Sequence, residues 1–369
     1  MSLVRTEEQR SLAEIVRSFV AKRSPLSAIR VMITEGRAYD QDVWRTLSGE
    51  LGLSGLIVPE HHGGTGGSWA DLAVALAELG AGLVPSPLLA SGVLVSGALM
   101  ASDDEDVKAE LLPRLADGSL LGALAVSEAE SPRWIPDRPR TVARNDGDGV
   151  RLSGRKNAVL NGCEADVLLV QAVREGRSEL HLVDRGTSGL SVTRTPAIDP
   201  TRSVASVELE DCLARPLAGD ATAALSQLAD LADFALAAEQ VGALRACLEM
   251  TVQYAGSRFA FGQPIGAYQG VKHKLADMYT QWSLCDAALR VAAEAEGSAE
   301  QPTTAAAVRA LTSSTYADAA QTAMLLHGGL GFTWEHDAHL YLKNAIAGNV
   351  LLGEPAERLE RVALGLGLA

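Results

Sequence analysis

The chain has 369 residues, enough for two or three domains rather than one small core. Hydrophobic residues make up 47% and charged residues 21%, the mix of an ordinary globular protein. A net charge of -14, from 32 basic and 46 acidic side chains, argues against nucleic acid or an anionic membrane as partner. It leaves room for a local arginine to hold an anionic ligand. Cys163, Cys212, Cys247 and Cys285 are far apart and lack metal-ligand spacing, so they read as small apolar residues in a reducing cytosol. The opening MSLVRTEEQR turns charged at once and has no apolar signal-peptide core, so a cytoplasmic location is expected.

Residues 1–118 read as a helical domain. Thr6 followed by Glu7 and Glu8 predicts a helix start, and Leu12, Ile15, Val16 and Phe19 recur at helical spacing. Gly63 to Gly67 reads as a turn between helices; with no lysine beside it and no strand before it, phosphate cradling is the weaker reading. No charge occurs between Glu78 and Asp103, but Pro85 and Pro87 cut the span too short for a bilayer. A buried soluble helix is expected there, with Ser91, Gly92, Ser96 and Gly97 at close packing contacts.

Residues 119–218 change to short strand-like runs between turn signals: Leu121–Val126, Thr141–Arg144, Val150–Leu152, Val167–Val173, Leu180–Val183, Leu190–Thr195 and Val204–Leu209. Asn145-Asp146-Gly147-Asp148-Gly149 marks a hairpin turn. Strands without intervening helices predict an antiparallel barrel or sandwich. Residues 219–369 read helical again, with long helices over Ala223–Gly256, from Tyr268 into the 290s, and over Thr303–Leu326. Shorter pieces near Asp337–Ile346 and Ala356–Ala363 complete a four-helix-type bundle. The fold class is α+β.

Two elements of that last region carry chemistry. Arg258 to Met278 reads RFAFGQPIGAYQGVKHKLADM, and His327 to Glu335 reads HGGLGFTWE. A guanidinium offers a fork of donors for phosphate oxygens; Phe261 and Tyr268 offer flat apolar surface, and Gly262 and Gly266 let backbone approach a ligand. A lone arginine would be a solvent ion pair. Arg258, Phe261, Gly262, Pro264, Ile265, Tyr268 and Gln269 together match R-x-x-F-G-x-P-I-x-x-[FY]-Q, and over essentially its whole length the chain resembles the acyl-CoA dehydrogenases.

The resemblance implies FAD-dependent α,β-desaturation of an acyl-CoA, within lipid metabolism. It implies dimers or tetramers in which each FAD is shared between two subunits, with an electron-transfer flavoprotein as electron acceptor. Arg258, Phe261, Gly262, Ile265, Tyr268 and Gln269 would hold the pyrophosphate and adenosine of a neighbour's FAD, as would Gly328 and Gly329. One family glutamine is replaced by Leu325. His327, His336 and His339 lack carboxylates at ligand spacing and are expected to be surface or capping residues, not metal ligands.

The flavin side departs further. Of the family's T-E-P-x-A-G-S-D element only Ser127 and Glu128 match, and Trp134 follows among prolines. In G-x-K-x-W-I-T-N, Gly154, Lys156 and Asn161 are kept, while Ala158 replaces the tryptophan and Leu160 the threonine. An ungapped count from Gly329 puts the family's catalytic Glu-Gly pair on Leu352-Gly353, and leucine accepts no proton. Glu354 beside Pro355, and Asp233 beside Ala232 (the alternative base position), are expected to be solvated or capping acids. No catalytic residue is therefore assigned. The leading expectation is a subunit that lends half an FAD site to a catalytic partner, like the degenerate subunit of heteromeric actinobacterial enzymes. An active homo-oligomer with a relocated acid, a flavin-free assembly protein and a flavin monooxygenase of the same fold are the alternatives.

Overall fold

A computed structural model describes residues 4–147 and 149–368. The chain first forms α1 (Glu7–Arg23), α2 (Leu26–Thr34), α3 (Gln41–Arg45) and α4 (Trp69–Ala81). A π-helical run, Leu88–Val95, then continues into α5 (Ser96–Met100), and α6 (Glu105–Ala116) follows. α1 begins where the sequence places it, because the Thr6 hydroxyl accepts the Gln9 N–H while the Gln9 side chain accepts the Thr6 N–H. Leu88–Val95 is buried at every position, so the uncharged span is core. Among the described residues no helix is long and apolar enough to cross a membrane.

The sheet contains β1 (Gly122–Ala125), β2 (Val142–Asp146), β3 (Gly149–Leu160), β4 (Val167–Arg174), β5 (Arg177–Asp184), β6 (Leu190–Arg194) and β7 (Val204–Pro216). Each expected run is a strand, but the sheet is mixed rather than antiparallel. β1 pairs in parallel with β4, and β2 meets β4 in parallel at Val142↔Val173. β1 arrives from the helical region, so no hairpin forces it antiparallel to a neighbour. The circuit β4–β2–β3–β7–β5 closes back on β4, giving the barrel-like form. β3 is far longer than its apolar run implies, since Gly154 and polar neighbours mask a strand that pairs with β7 as far as Leu160. The expected β2–β3 hairpin pairs Asp146 with Gly149, and Asp148 lies outside the described residues.

The remaining elements are α7 (Ala221–Ser257), a small hairpin of β8 (Phe259–Ala260) and β9 (Gln263–Pro264), then α8 (Gln269–Glu294), α9 (Gln301–Leu326), α10 (Ala338–Val350) and α11 (Pro355–Gly365). α7 is buried on most of its surface because α8 and α9 cover one side and α4 crosses another. At that crossing the backbones touch: a Cβ added at Gly80 would overlap the Glu239 carbonyl, and one at Gly242 the Ala77 carbonyl. The two helical regions thus share one apolar core, while a second core fills the barrel. Gly242→Ala is expected to cost about 1–3 kcal/mol by forcing the helices apart. Urea unfolding checks this, and an unchanged midpoint would refute the contact. All four cysteines are free; Cys212, Cys247 and Cys285 are buried, and burial pushes the Cys247 thiol up to about 12.

Candidate functional site

α7 ends by turning its last residues into the β8–β9 hairpin. Arg258 leaves the helix in an extended conformation, its N–H bonded to the Tyr254 carbonyl, and its own carbonyl accepts the Ile265 N–H at 2.7 Å. At the tip Phe261 and Gly262 both take left-handed φ, +50° and +87°, and only the glycine does so without strain. The Tyr268 hydroxyl donates to the Ala260 carbonyl at 2.9 Å and braces the hairpin from behind. Phe261 is 98% exposed. Arg258 and Gln269 are also exposed, whereas Ile265 and Tyr268 are half-buried.

The second element is a 3-10 turn, Gly328–Phe332, directly after α9. Tyr254 ties it to the first: its ring lies 4.3 Å from that of His327, and its hydroxyl donates to the His327 carbonyl at 3.4 Å. The hairpin and the glycine turn therefore sit at one end of the bundle. Gly262, Gly328 and Gly329 each face open space where a Cβ would project. Among the described residues Arg258 has no acidic partner. Leu325, Phe259, Phe332 and Trp334 add exposed apolar surface.

The histidines are not surface residues. His327 and His339 are buried and His336 is half-buried; the His327 and His336 rings lie 4.3 Å apart. His327 Nδ1 donates to the Ala323 carbonyl, and burial lowers its pKa from the usual value. The capping expectation holds for His327, the C-cap of α9, and for His336, which accepts the Ala338 N–H at the start of α10; the surface expectation is corrected by packing of Tyr254 on His327 and His336 and of Trp334 on His339. No metal-holding group of His, Cys, Asp or Glu occurs among the described residues.

On the barrel side, Glu128 and Lys156 form a buried pair at 2.7 Å. Glu128 also accepts the Arg140 and Thr141 N–H groups and the Thr141 hydroxyl, so these two residues lock the barrel. Ala158 lies in the bulge between Lys156 and Val159 near the end of β3, with φ +51°, and is exposed. Leu160 is only 4% exposed and joins the helical core, presenting no donor. The loop after Ser131 folds onto α11. The Trp134 N–H donates to Glu357 at 3.3 Å, and Arg133 pairs with Glu360 at 3.3 Å.

Between that loop, α7 and α11 lies a cavity of about 300 Å³ lined by Trp134, Ser226, Asp233, Leu352, Glu357 and Arg361, among others. Leu352 is buried and holds φ +55°, a strained conformation for leucine, with Gly353 following at +122°. Two guanidiniums secure this loop: Arg309 bonds the Gly348 and Leu351 carbonyls, and Arg358 those of Asn349 and Gly353. Glu354 is exposed and precedes Pro355 at the start of α11, as expected for a solvated acid.

Asp233 corrects its expected role. It is buried and paired with Arg361, which also holds Asp230. Burial pushes its carboxyl up to about 6 against the pull of Arg361, Arg309 and Arg358. Sequence reasoning also missed Glu357, which lines the cavity beside Gly353 and whose pKa burial raises. Arg358 and Arg361 share one face of α11, a spacing visible in the sequence, but their partners come from α7 and the 349–353 loop.

With this geometry in hand, similarity to known proteins is informative. Residues 6–119 match the acyl-CoA dehydrogenase N-terminal domain and residues 222–365 the acyl-CoA dehydrogenase C-terminal domain. The acyl-CoA dehydrogenase IpdE2 of Mycobacterium tuberculosis is 38% identical over 96% of this chain and 96% of its own. IpdE2 of Mycolicibacterium smegmatis is 33% identical over 97% and 98%. The solved ChsE4-ChsE5 complex of Mycobacterium tuberculosis contains a chain that is 26% identical, with a TM-score of 0.91 and full coverage of both chains. The chain belongs to the acyl-CoA dehydrogenase family of oxidoreductases.

Proposed function

We propose that this chain is a non-catalytic subunit of a heteromeric acyl-CoA dehydrogenase, lending the pyrophosphate and adenosine half of an FAD site to a catalytic partner. The observation that carries the reading is an asymmetry. Arg258 stands exposed beside open glycine backbone, while Leu352 offers no proton acceptor and Asp233, in the same cavity, is clamped by Arg361. A guanidinium without a carboxylate suits phosphate oxygens, and Gly262, Gly328 and Gly329 leave room for a ligand to approach. The residues at that end of the bundle fit the nucleotide part of FAD. Those of the chain's own flavin side do not fit: Leu160 is turned into the core, and Ala158 offers neither ring nor donor. When bound, FAD supplies the hydride acceptor for desaturation of an acyl-CoA, with an electron-transfer flavoprotein as the electron acceptor.

The existence of a ChsE4-ChsE5 complex among the similar structures supports assembly from two different subunits. Purified alone, the chain is expected to show no visible flavin absorbance. Co-purified with its partner, it is expected to retain FAD and to desaturate acyl-CoA. Arg258→Ala in the pair is expected to weaken FAD retention roughly ten- to a hundredfold, the effect of losing charge-assisted hydrogen bonds. Full FAD occupancy and activity in the lone chain would overturn the proposal. One observation favours a second reading, an active homo-oligomer: Glu357 lines the cavity beside Gly353 with a raised pKa. In that case Glu357→Gln would abolish activity of the lone chain.

A further inference from the structure

Where α4 packs against α1, α7 and α8, arginines gather around an open cavity of about 360 Å³. Arg5, Arg10, Arg245 and Arg290 line it with Trp282, and Asp286 is the one acid among its described lining residues. On a chain of net charge -14 such a concentration of positive charge is not a composition effect.

The local acids do not match it. Glu78 is buried and accepts bidentate bonds from both Arg17 and Arg245, at 2.7–3.0 Å, so one carboxylate serves two guanidiniums. Asp286 is shared in the same way, by Arg290 at 2.6 Å and Arg5 at 3.9 Å. Glu249 lies 3.9 Å from Arg245 but is mostly exposed. Arg10 bonds the Arg5 carbonyl, which brings no charge. Burial, together with the neighbouring Arg290 and Arg245, lowers the Arg5 pKa from its usual value.

We infer that this arginine-lined cavity binds the phosphate or pyrophosphate group of a small metabolite, with Trp282 as a flat surface for the rest of the ligand. Guanidinium forks match phosphate oxygens in a way that point-charge ammonium groups do not, and every cation lining this cavity is arginine. The volume suits a small ligand. The cavity shares α7 and α8 with the Arg258 hairpin, but Arg245 lies roughly 20 Å along α7 from Arg258, and no residue of the hairpin lines it, so it does not depend on the cofactor role proposed above.

The test is calorimetric titration of inorganic pyrophosphate into the full chain carrying Arg258→Ala, which silences the other anion-facing arginine. Binding in the range of about 1 mM or tighter is expected, weakening steeply with added salt. Arg5→Gln with Arg10→Gln is expected to weaken it about tenfold or more. The change should be tolerated, since Arg10 is exposed and among the described residues bonds the Arg5 carbonyl; an unchanged melting curve checks that the fold is kept. Arg290→Gln gives a second probe from α8 and should weaken binding as well. No detectable binding, binding unaffected by these changes, or equally tight binding of citrate would each overturn the inference. Capture of an acidic peptide in place of pyrophosphate would also overturn it, pointing to a protein partner.

Discussion

Glu128→Ala is expected to destabilise the protein by about 3–5 kcal/mol, the cost of leaving a buried cation without its partner. Lys156 is 0% exposed, and among the described residues its ammonium reaches only Glu128 and the Val126 carbonyl. Burial pulls it down to about 8, with Glu128 opposing. Burial would raise the Glu128 carboxyl, yet the Arg140 N–H and the Lys156 ammonium together hold it below its usual range. The pH dependence follows from both depressions. The Glu128 contribution is present above the unfolded carboxylate pKa and is lost as pH falls through the lower folded value. For Lys156 the folded state binds fewer protons between about 8 and the unfolded value of 10.5, so stability rises across that window. In Glu128→Ala the lysine drops further, and the rise with pH begins lower. Urea unfolding from mildly acidic to alkaline pH reads this directly. A loss below about 1 kcal/mol with an unchanged pH profile would refute the structural role of the pair.

The second large effect is expected at Arg361. Its guanidinium bridges Asp230 and Asp233, both buried on α7, and Arg361→Ala removes the charge that holds them. At neutral pH the loss is expected to be about 2–4 kcal/mol, less than for a fully enclosed pair because Arg361 is partly exposed. Burial raises both carboxyls, Asp233 to about 6, so the folded state binds more protons than the unfolded. Stability therefore falls as pH rises from the unfolded carboxylate range through about 6. Without Arg361 both carboxyls rise further, and the decline extends to higher pH. Unfolding free energies should converge between wild type and variant on the acid side and diverge above neutrality. A loss that is the same at every pH would show that the two aspartates do not depend on Arg361. Activity appearing in the lone Arg361→Ala chain would count against the non-catalytic reading, since Asp233 would then be the freed base.

The Arg258 end of the bundle was more legible than the barrel side, for a physical reason. Arg258 to Gln269 is a contiguous element whose residue types could be read in a row as a guanidinium, flat rings and permissive glycines, whereas only the fold shows that the Tyr268 hydroxyl braces the hairpin. The barrel side could be read only as departures from the family pattern: Ala158, Leu160 and Leu352 differ from it without saying what fills the space. Glu128 and Lys156 look like remnants of a ligand site in the sequence, and only their burial shows a structural pair.

The amino-acid order alone determined the helix–strand–helix succession, because hydrophobic period and turn residues act within a few positions of one another. It also placed the α1 cap and the break between the long helices at Arg258 to Gln269. Tertiary structure alone decided the parallel β1–β4 pairing, the burial of His327 and His339, the α4–α7 backbone contact at Gly80 and Gly242, and the capture of Asp233 by Arg361. Each of these joins residues far apart along the chain, where local preference has no reach and the packing of one element on another sets both geometry and charge.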